Sequence, residues 1–256
     1  LDSAQVQALT TAQIAEMDSA DVAALTSDAL VGLTSDQVAA LSTSAFAAIH
    51  TADLNALTSS ALAGITTAQI GTLDTADIRA LGTDIANLNT AAMATLTSTQ
   101  VAAFTTAQAV ELDSADIAAL TSAGFDGFNT ADLDALTSLA ISGMTAAQVD
   151  TLSSADIRAL GTDIANMNTA AMASLDSAQI AALTTAQIAA LDSADIAALS
   201  SDAFAGLSSS QLAALSTSAF NELGTDDLGV LTSSAIAGMT TCLLYTSPSP
   251  RDAHES

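Results

Sequence analysis

The chain has 256 residues, of which 28 are acidic and three are basic, so its formal net charge is −25. This charge excludes nucleic-acid binding through an electropositive surface. Half of the residues are apolar, but the chain has no Trp, one Tyr and two Pro. That composition is not typical of an enzyme domain.

From its first residue the sequence is an array of eight-residue repeats with the form Leu-x-Ser/Thr-Ala-x-Ile-Ala-Ala. Residues 183–190 and 191–198 show the pattern most clearly. Thirty repeats fit between Leu1 and Gly238. Position one is always Leu, Ile, Met or Phe, and position three is Ser or Thr in all repeats but one. These two positions are therefore expected to carry the structural constraint.

Two short repeats, residues 81–87 and 160–166, have seven residues instead of eight and end in Asn. When a helical repeat loses one residue, the side chains that follow the deletion point to a different side of the helix. We therefore expect a local kink or phase correction at each short repeat. Gly82 and Gly161, which enter the short repeats, are compatible with this expectation.

The repeats are grouped at a second level. The segment 76–87 recurs unchanged as residues 155–166. Duplication in blocks is how long array proteins grow. The array divides into three blocks, which are residues 1–95, 96–174 and 175–241.

Each repeat predicts one short α-helix, so the expected fold class is all-α, a solenoid of very short helices. In Leu9-Thr-Thr-Ala-Gln-Ile-Ala, Thr10 can cap free amide groups while Gln13 reaches back to the amide of the cap. The next hydroxyl pair then ends the helix. Position six and the following position one form an apolar edge, and stacking successive repeats would join these edges into one core. The cap at position two and the cap at position three both fit the sequence.

A rod and a β-solenoid are the alternative folds. An eight-residue period does not keep Leu on one side of a straight helix, so a coiled coil is excluded. A strand would place positions one and six on opposite faces and would contain many Ala residues, which are poor strand formers. A β-solenoid with two or three repeats per coil stays open. Six aromatic residues at positions one and six support the helical core instead: Phe46, Phe104, Phe125, Phe128, Phe204 and Phe220.

Four Asp-x-x-Asp pairs are the candidate metal site. Two carboxylates at a helix start could attract a hard cation such as calcium. The simpler interpretation is that the first Asp caps the helix and the second lies at its third position, where both are favourable without a metal. We therefore expect weak calcium binding at most, and no other cofactor. The pairs are Asp18/Asp21, Asp74/Asp77, Asp113/Asp116 and Asp192/Asp195.

Three further polar residues have plain interpretations. His50 is the only His in residues 1–241 and lies at position two, so we interpret it as a surface variant. Arg79 and Arg158 occupy equivalent places in the duplicated segment, with Asp residues nearby. We expect each Arg to form a local ion pair.

No catalytic constellation is evident in residues 1–241, which contain no Gly-rich phosphate loop, no Ser/His/Asp triad and no Cys/His cluster. We expect neither enzyme activity nor membrane insertion, since a hydroxyl pair interrupts every apolar run. The hydroxyl pairs could also form a ladder that meets ice or another surface. The mixture of Thr, Ser and Asp at these positions weakens that interpretation.

The last fifteen residues, 242–256, depart from the repeat and hold the only Cys, the only Tyr and both Pro. Cys242-Leu-Leu-Tyr-Thr-Ser-Pro-Ser-Pro-Arg-Asp252 resembles a translation of the transposase end and adaptor used in tagmentation sequencing libraries. We interpret the segment as a non-native, disordered tail and exclude it from functional reasoning. Since the chain begins at Leu1 without an initiator Met, we expect both ends to be cut from a longer reading frame.

The acidic, block-duplicated array resembles the repeat regions of very large bacterial secreted or cell-surface proteins, including adhesin-like ones. The resemblance covers residues 1–241 and lies in repeats of the Leu-Thr-Thr-Ala-Gln-Ile type. It implies an extracellular or cell-surface spacer or stalk within a larger exported protein, with neighbouring repeats as its partners. The alternatives are a module that binds a peptide, a glycan or ice, and an adhesin segment stiffened by calcium.

Overall fold

The computed structural model describes residues 1–237, so the tail predicted at 242–256 lies outside the described residues. The described part contains 26 α-helices and four 3-10 helices and no strand. The predicted all-α solenoid of short helices is confirmed, and the β-solenoid alternative is wrong. Each repeat contributes one helix of four to six residues.

The described residues form two compact units, which divide between residues 140 and 141. The N-terminal unit contains two 3-10 helices, Thr51–Ala56 and Gly82–Asn87. Its α-helices are Ser3–Gln7, Thr11–Ala15, Ser19–Ala23, Ser27–Leu30, Ser35–Ala40, Thr43–Phe46, Ser59–Leu62, Thr67–Ile70, Thr75–Ala80, Thr90–Met93, Ser98–Val101, Thr106–Glu111, Ser114–Ala119, Ser122–Phe125 and Thr130–Ala135.

The helix Ser138–Ser142 contains the boundary between the units. The described part of the C-terminal unit has two 3-10 helices, Gly161–Asn166 and Ser201–Gly206. Its α-helices are Ala146–Val149, Ser154–Ala159, Thr169–Ala173, Ser177–Ala182, Thr185–Ala190, Ser193–Ala198, Ser209–Ala214, Thr217–Phe220, Thr225–Val230 and Ser233–Ile236.

The helix cap lies at position two of the repeat, which settles the choice that the sequence left open. Thr10 Oγ1 accepts a hydrogen bond from the Gln13 amide at 3.2 Å, and Gln13 Oε1 accepts one from the Thr10 amide at 2.9 Å. The predicted capping box is therefore confirmed. The carbonyl of the cap also accepts the first helical hydrogen bond, from Ile14 at 3.0 Å.

Helices stack on one another at an interval of three repeats. In the N-terminal unit Thr11–Ala15 packs against Ser35–Ala40, and in the C-terminal unit Ser177–Ala182 packs against Ser201–Gly206. From the sequence, successive repeats were expected to stack directly. Instead, a helix packs against the helix three repeats away, because successive repeats lie along the same turn of the solenoid. We call one such turn, which is three successive repeats, a coil.

Backbone-to-backbone approach sets the spacing of some stacked helices. A Cβ added to Gly64 would lie 2.0 Å from the Ser35 carbonyl oxygen, and one added to Gly206 would lie 1.9 Å from that of Ser177. No side chain fits at such distances, so Gly at position eight lets two coils touch through their backbones.

The core consists of the side chains at position six together with those at position one. The six Phe side chains are all buried, which confirms their predicted place. Phe128 contacts Phe125 and Phe104 edge to face, with ring centroids 5.4 and 5.8 Å away. Such pairs stabilise a core beyond the area that they bury.

The second residue of each short repeat is a glycine in the left-handed region, with φ of 60° at Gly82 and 56° at Gly161. The helix that follows is of the 3-10 type in both cases. At the next position one, Leu88 and Met167 are again buried. The phase correction predicted at the short repeats thus takes the form of a left-handed turn and a tighter helix.

We predict that Gly82→Ala lowers the free energy of unfolding by about 1–2 kcal/mol, because a Cβ is unfavourable in the left-handed region. The added methyl group would itself meet no atom within 4 Å, so the loss would report the backbone alone. Urea denaturation followed by circular dichroism measures it.

Gly71→Ala is the matched control for this substitution. Gly71 has a helical φ of −64°, and a Cβ there would make ordinary contact with the Ala68 carbonyl oxygen at 3.5 Å. We expect no loss of stability in the control. Equal losses in both variants would contradict the assignment of a conformational cost to Gly82.

Candidate functional site

The residues with polar chemistry converge on the contacts between coils, which form the candidate functional site. The amide nitrogen of a buried Gln at position five donates to two carbonyl groups, one four repeats earlier and the other at the start of the repeat after it. Gln69 Nε2 donates to the carbonyls of Val38 at 2.8 Å and Leu41 at 2.9 Å. We call this arrangement the Gln clamp. It is also made by Gln37, Gln100, Gln108, Gln179, Gln187 and Gln211.

The Gln clamp joins two tasks in one side chain. While Gln69 Nε2 holds the previous coil, Gln69 Oε1 accepts from the Thr66 amide at 2.8 Å. The carbonyls that it binds belong to a helix end, where partners four residues ahead are missing. Gln69 therefore satisfies the start of its own helix and the end of another one.

Sequence reasoning assigned Gln to capping only and missed the clamp. A signal for it exists, because position five is Gln in every fourth repeat over the first half of the array. These residues are Gln5, Gln37, Gln69 and Gln100.

Asn at position two takes over the clamp in two repeats that have Ala at position five. Asn89 Nδ2 donates to the carbonyls of Ala63 at 3.0 Å and Ile65 at 2.7 Å, while its Oδ1 accepts from the Ala92 amide at 2.9 Å. Asn168 makes the equivalent bonds in the C-terminal unit. The donor moves from position five to position two, and the carbonyls of the earlier coil stay bonded.

Asp at position five forms a third kind of contact between coils. The Thr51 hydroxyl donates to Asp77 at 2.6 Å, and the Ser201 hydroxyl donates to Asp227 at 2.6 Å. Ser27 makes the same bond to Asp53. Hydrogen bonds to a carboxylate are stronger than those between neutral groups, so position three of one coil holds position five of the next.

The two arginines bind backbone in the following coil. Arg79 Nε donates to the Ala103 carbonyl at 3.1 Å, and Arg158 Nε donates to the Ala182 carbonyl at 2.8 Å. The structure thus gives each guanidinium a carbonyl partner three repeats on, in place of the local ion pair expected from the sequence.

The four Asp-x-x-Asp pairs are capping boxes. Asp74 Oδ1 accepts from the amides of Ala76 at 2.7 Å and Asp77 at 2.9 Å, and Asp77 Oδ2 accepts from the Asp74 amide at 3.1 Å. The pairs Asp18/Asp21, Asp113/Asp116 and Asp192/Asp195 are built in the same way. Within residues 1–237 no group of three or more His, Cys, Asp and Glu side chains is arranged to hold a metal ion.

Three aspartates at position five have a raised pKa. Burial raises the pKa of Asp116, Asp132 and Asp195 above the ordinary value of 3.8. A backbone hydrogen bond opposes the rise in each case, and the facing Asp113 and Asp192 carboxylates add to it for Asp116 and Asp195. Asp132, which is 2 % exposed, also accepts from Asn129 Nδ2 at 2.6 Å.

His50 is exposed and begins the 3-10 helix Thr51–Ala56 without a side-chain cap. Its place on the surface agrees with the prediction. Among residues 1–237 no helix has the length and apolar character required to cross a bilayer.

A shallow groove of about 340 Å³ in the N-terminal unit is lined by eight residues, four of which are Thr, and more of its surface is apolar than polar. Gly71 has no side chain to fill the groove. The equivalent residue of the next block is Asp150, whose side chain is exposed. The groove lining contains no aromatic ring on which a sugar could stack. The lining side chains with polar groups are Asp74, Thr75, Thr95, Thr97, Thr99 and Gln100.

Comparison with known families finds one repeat model along this array. The ALTTAQ repeat matches five times, at residues 14–48, 46–83, 126–162, 161–193 and 188–225. These matches cover more than half of the chain, and the chain belongs to the ALTTAQ repeat family. No curated protein matches the sequence.

We predict that Gln69→Ala lowers the free energy of unfolding by about 2–4 kcal/mol, because two buried carbonyls lose a donor. Gln69→Glu separates the clamp from the cap, since the carboxylate can still accept from the Thr66 amide but cannot donate. It should be at least as destabilising. Urea denaturation monitored by circular dichroism measures both variants.

Gln13→Ala is the control for the clamp. Gln13 lies in the same Thr-Thr-Ala-Gln-Ile context and makes the same capping box, but it is exposed. We expect a loss below about 1 kcal/mol, the size of a cap alone. A loss for Gln13→Ala as large as that for Gln69→Ala would show that the clamp adds nothing.

We predict that stability rises as the pH falls from 7 through the raised pKa of Asp132. The folded chain holds this proton more tightly than the unfolded chain does, so the gain is complete below the ordinary pKa of 3.8. Asp132→Asn should flatten the dependence of the free energy of unfolding on pH in this window. Asp126→Asn, which removes an exposed charge, is the control, and an equal flattening by both would refute a specific role for Asp132.

Proposed function

We propose that the chain is a non-enzymatic structural array that serves as a spacer or stalk within a larger exported bacterial protein, located outside the cell or on its surface. The observation that carries the proposal is the use of the polar side chains. The Gln, Asn and Arg residues and the paired Asp residues that stand out in the sequence act as helix caps or join coils.

The charge supports the same role. With a net charge of −25, the surface repels copies of itself and stays soluble at high local concentration. A spacer requires this property because many copies stand side by side on one surface. The adhesin-like resemblance of the repeats points to the same setting.

The composition of the core supports growth by duplication. Positions one and six are apolar throughout, and the Gln and Asn clamps join each coil to the preceding one, so a block can be inserted without a new core. Stability in such arrays is a sum of terms within repeats and between neighbours. Length can therefore change while local structure stays the same.

We predict that inserting a second copy of residues 96–174 after Ser174 increases the maximum dimension of the chain in proportion to the added repeats. Small-angle X-ray scattering in a chelator measures it, because a pure spacer does not need a metal. An unchanged dimension would contradict the spacer role.

The same samples in calcium decide between the spacer and the calcium-stiffened alternative. If the Asp pairs bind calcium and stiffen the array, the maximum dimension will grow in proportion to the repeats only when calcium is present. A variant with Asp18, Asp74, Asp113 and Asp192 changed to Asn keeps a capping residue at each site and removes one carboxylate from each pair. It should abolish any calcium effect and leave the dimension in chelator unchanged.

A further inference from the structure

The first coil presents an open face. We call it the leading face, and it comprises Leu1, Leu9, Gln13, Met17 and Leu25, which line a depression of about 420 Å³ together with Asp21 and Ala24. Leu1 is 65 % exposed, and the other three apolar side chains are half-buried.

Two Gln side chains on this side of the coil lack the clamp. Gln5 Oε1 accepts from the Asp2 amide at 3.0 Å, and Gln13 Oε1 accepts from the Thr10 amide at 2.9 Å. Within the described residues, neither amide nitrogen donates to a carbonyl of another coil. Both side chains are exposed, so two amide donors face outward beside the apolar depression.

A second copy of the same sequence lies inside the C-terminal unit and shows what covers such a face. Residues 1–16 recur as residues 175–190 with three changes. In the internal copy Gln179 is 6 % exposed and Gln187 is 1 % exposed. The position-one side chains equivalent to Leu1, Leu9, Met17 and Leu25 are all buried there; they are Leu175, Leu183, Leu191 and Leu199.

The internal copy is covered by the four repeats that precede it, residues 144–174. Gln179 Nε2 donates to the carbonyls of Val149 at 2.8 Å and Leu152 at 3.1 Å. Gln187 Nε2 donates to those of Ile157 at 2.7 Å and Gly161 at 3.0 Å. In the opposite direction, Arg158 reaches the Ala182 carbonyl, whose equivalent in the first coil is Ala8.

We propose that the leading face is a docking surface for four further repeats with the sequence of residues 144–174, joined to Leu1 as Ser174 is joined to Leu175. These repeats would present two pairs of carbonyls to Gln5 and Gln13 and an apolar edge to the depression. Their arginine would donate to the Ala8 carbonyl. The inference continues an interface that the chain already contains, and it does not depend on the spacer role.

The test adds residues 144–174 before Leu1 in the full chain and measures backbone hydrogen exchange by mass spectrometry. We expect exchange in residues 3–24 to slow by at least about tenfold, because the added contacts raise the free energy of local opening. The control extension has the same composition in scrambled order. Equal exchange rates with the native and the scrambled extension would overturn the proposal.

The variant Gln5→Ala/Gln13→Ala then tests the clamp at this face. In the extended chain it should reverse most of the protection, whereas in the original chain it should change exchange by less than about fivefold in each helix, the effect of one cap. Protection that persists in the extended variant would contradict an interface made through these amides.

Sedimentation velocity of the original chain decides between this occupant and a second copy. We expect a monomer across the concentration range. A dimer that the double Gln variant dissociates would show that a second copy covers the face and would overturn the proposal. The scattering test of the spacer role uses a block inserted after Ser174, so either hypothesis can fail while the other stands.

Discussion

The structure depends on how its very short helices satisfy their backbone hydrogen bonds. An α-helix leaves four amides and four carbonyls without partners inside the helix, and a helix of four to six residues has few others. Such a segment is not stable alone in water. The cap at position two provides for the amides, and the Gln clamp provides for carbonyls at the far end. Among the described residues, no buried side-chain nitrogen or oxygen lacks a partner.

This requirement explains why polar residues are buried in a core made of Leu, Ile and Ala. The side chains of Gln69 and Gln187 are each 1 % exposed. Burial of an amide group is costly unless the group is hydrogen-bonded. Each amide group here accepts at one helix start and donates twice at another helix end. A fully bonded polar network of this kind fixes which coil packs on which, whereas an apolar edge alone would tolerate a shift by one repeat.

The sequence predicts the individual repeat well because its signals are local. The period of eight and the pair Thr10 and Gln13 predict a capped helix, and the positions of Phe46 and Phe204 predict the core. The number of repeats in a coil is not predicted, since all repeats resemble one another and the period itself says nothing of which ones meet. That information lies in the differences between repeats, such as the recurrence of Gln69 and Gln100 four repeats apart.

The polar residues illustrate the same limit. The sequence identified the caps among the Asp pairs but could not place Arg79, because its partner is 24 residues away and no local pattern marks it. The short repeats show how the network absorbs a deletion. Asp84 accepts from the Ser59 hydroxyl at 2.8 Å, as Asp77 accepts from Thr51, although Asp84 is the fourth residue of its repeat. The missing residue thus precedes the carboxylate, and the left-handed Gly82 brings Asp84 to the place of a fifth residue. A repeat can lose a residue because the contacts between coils, and not the period, define the fold.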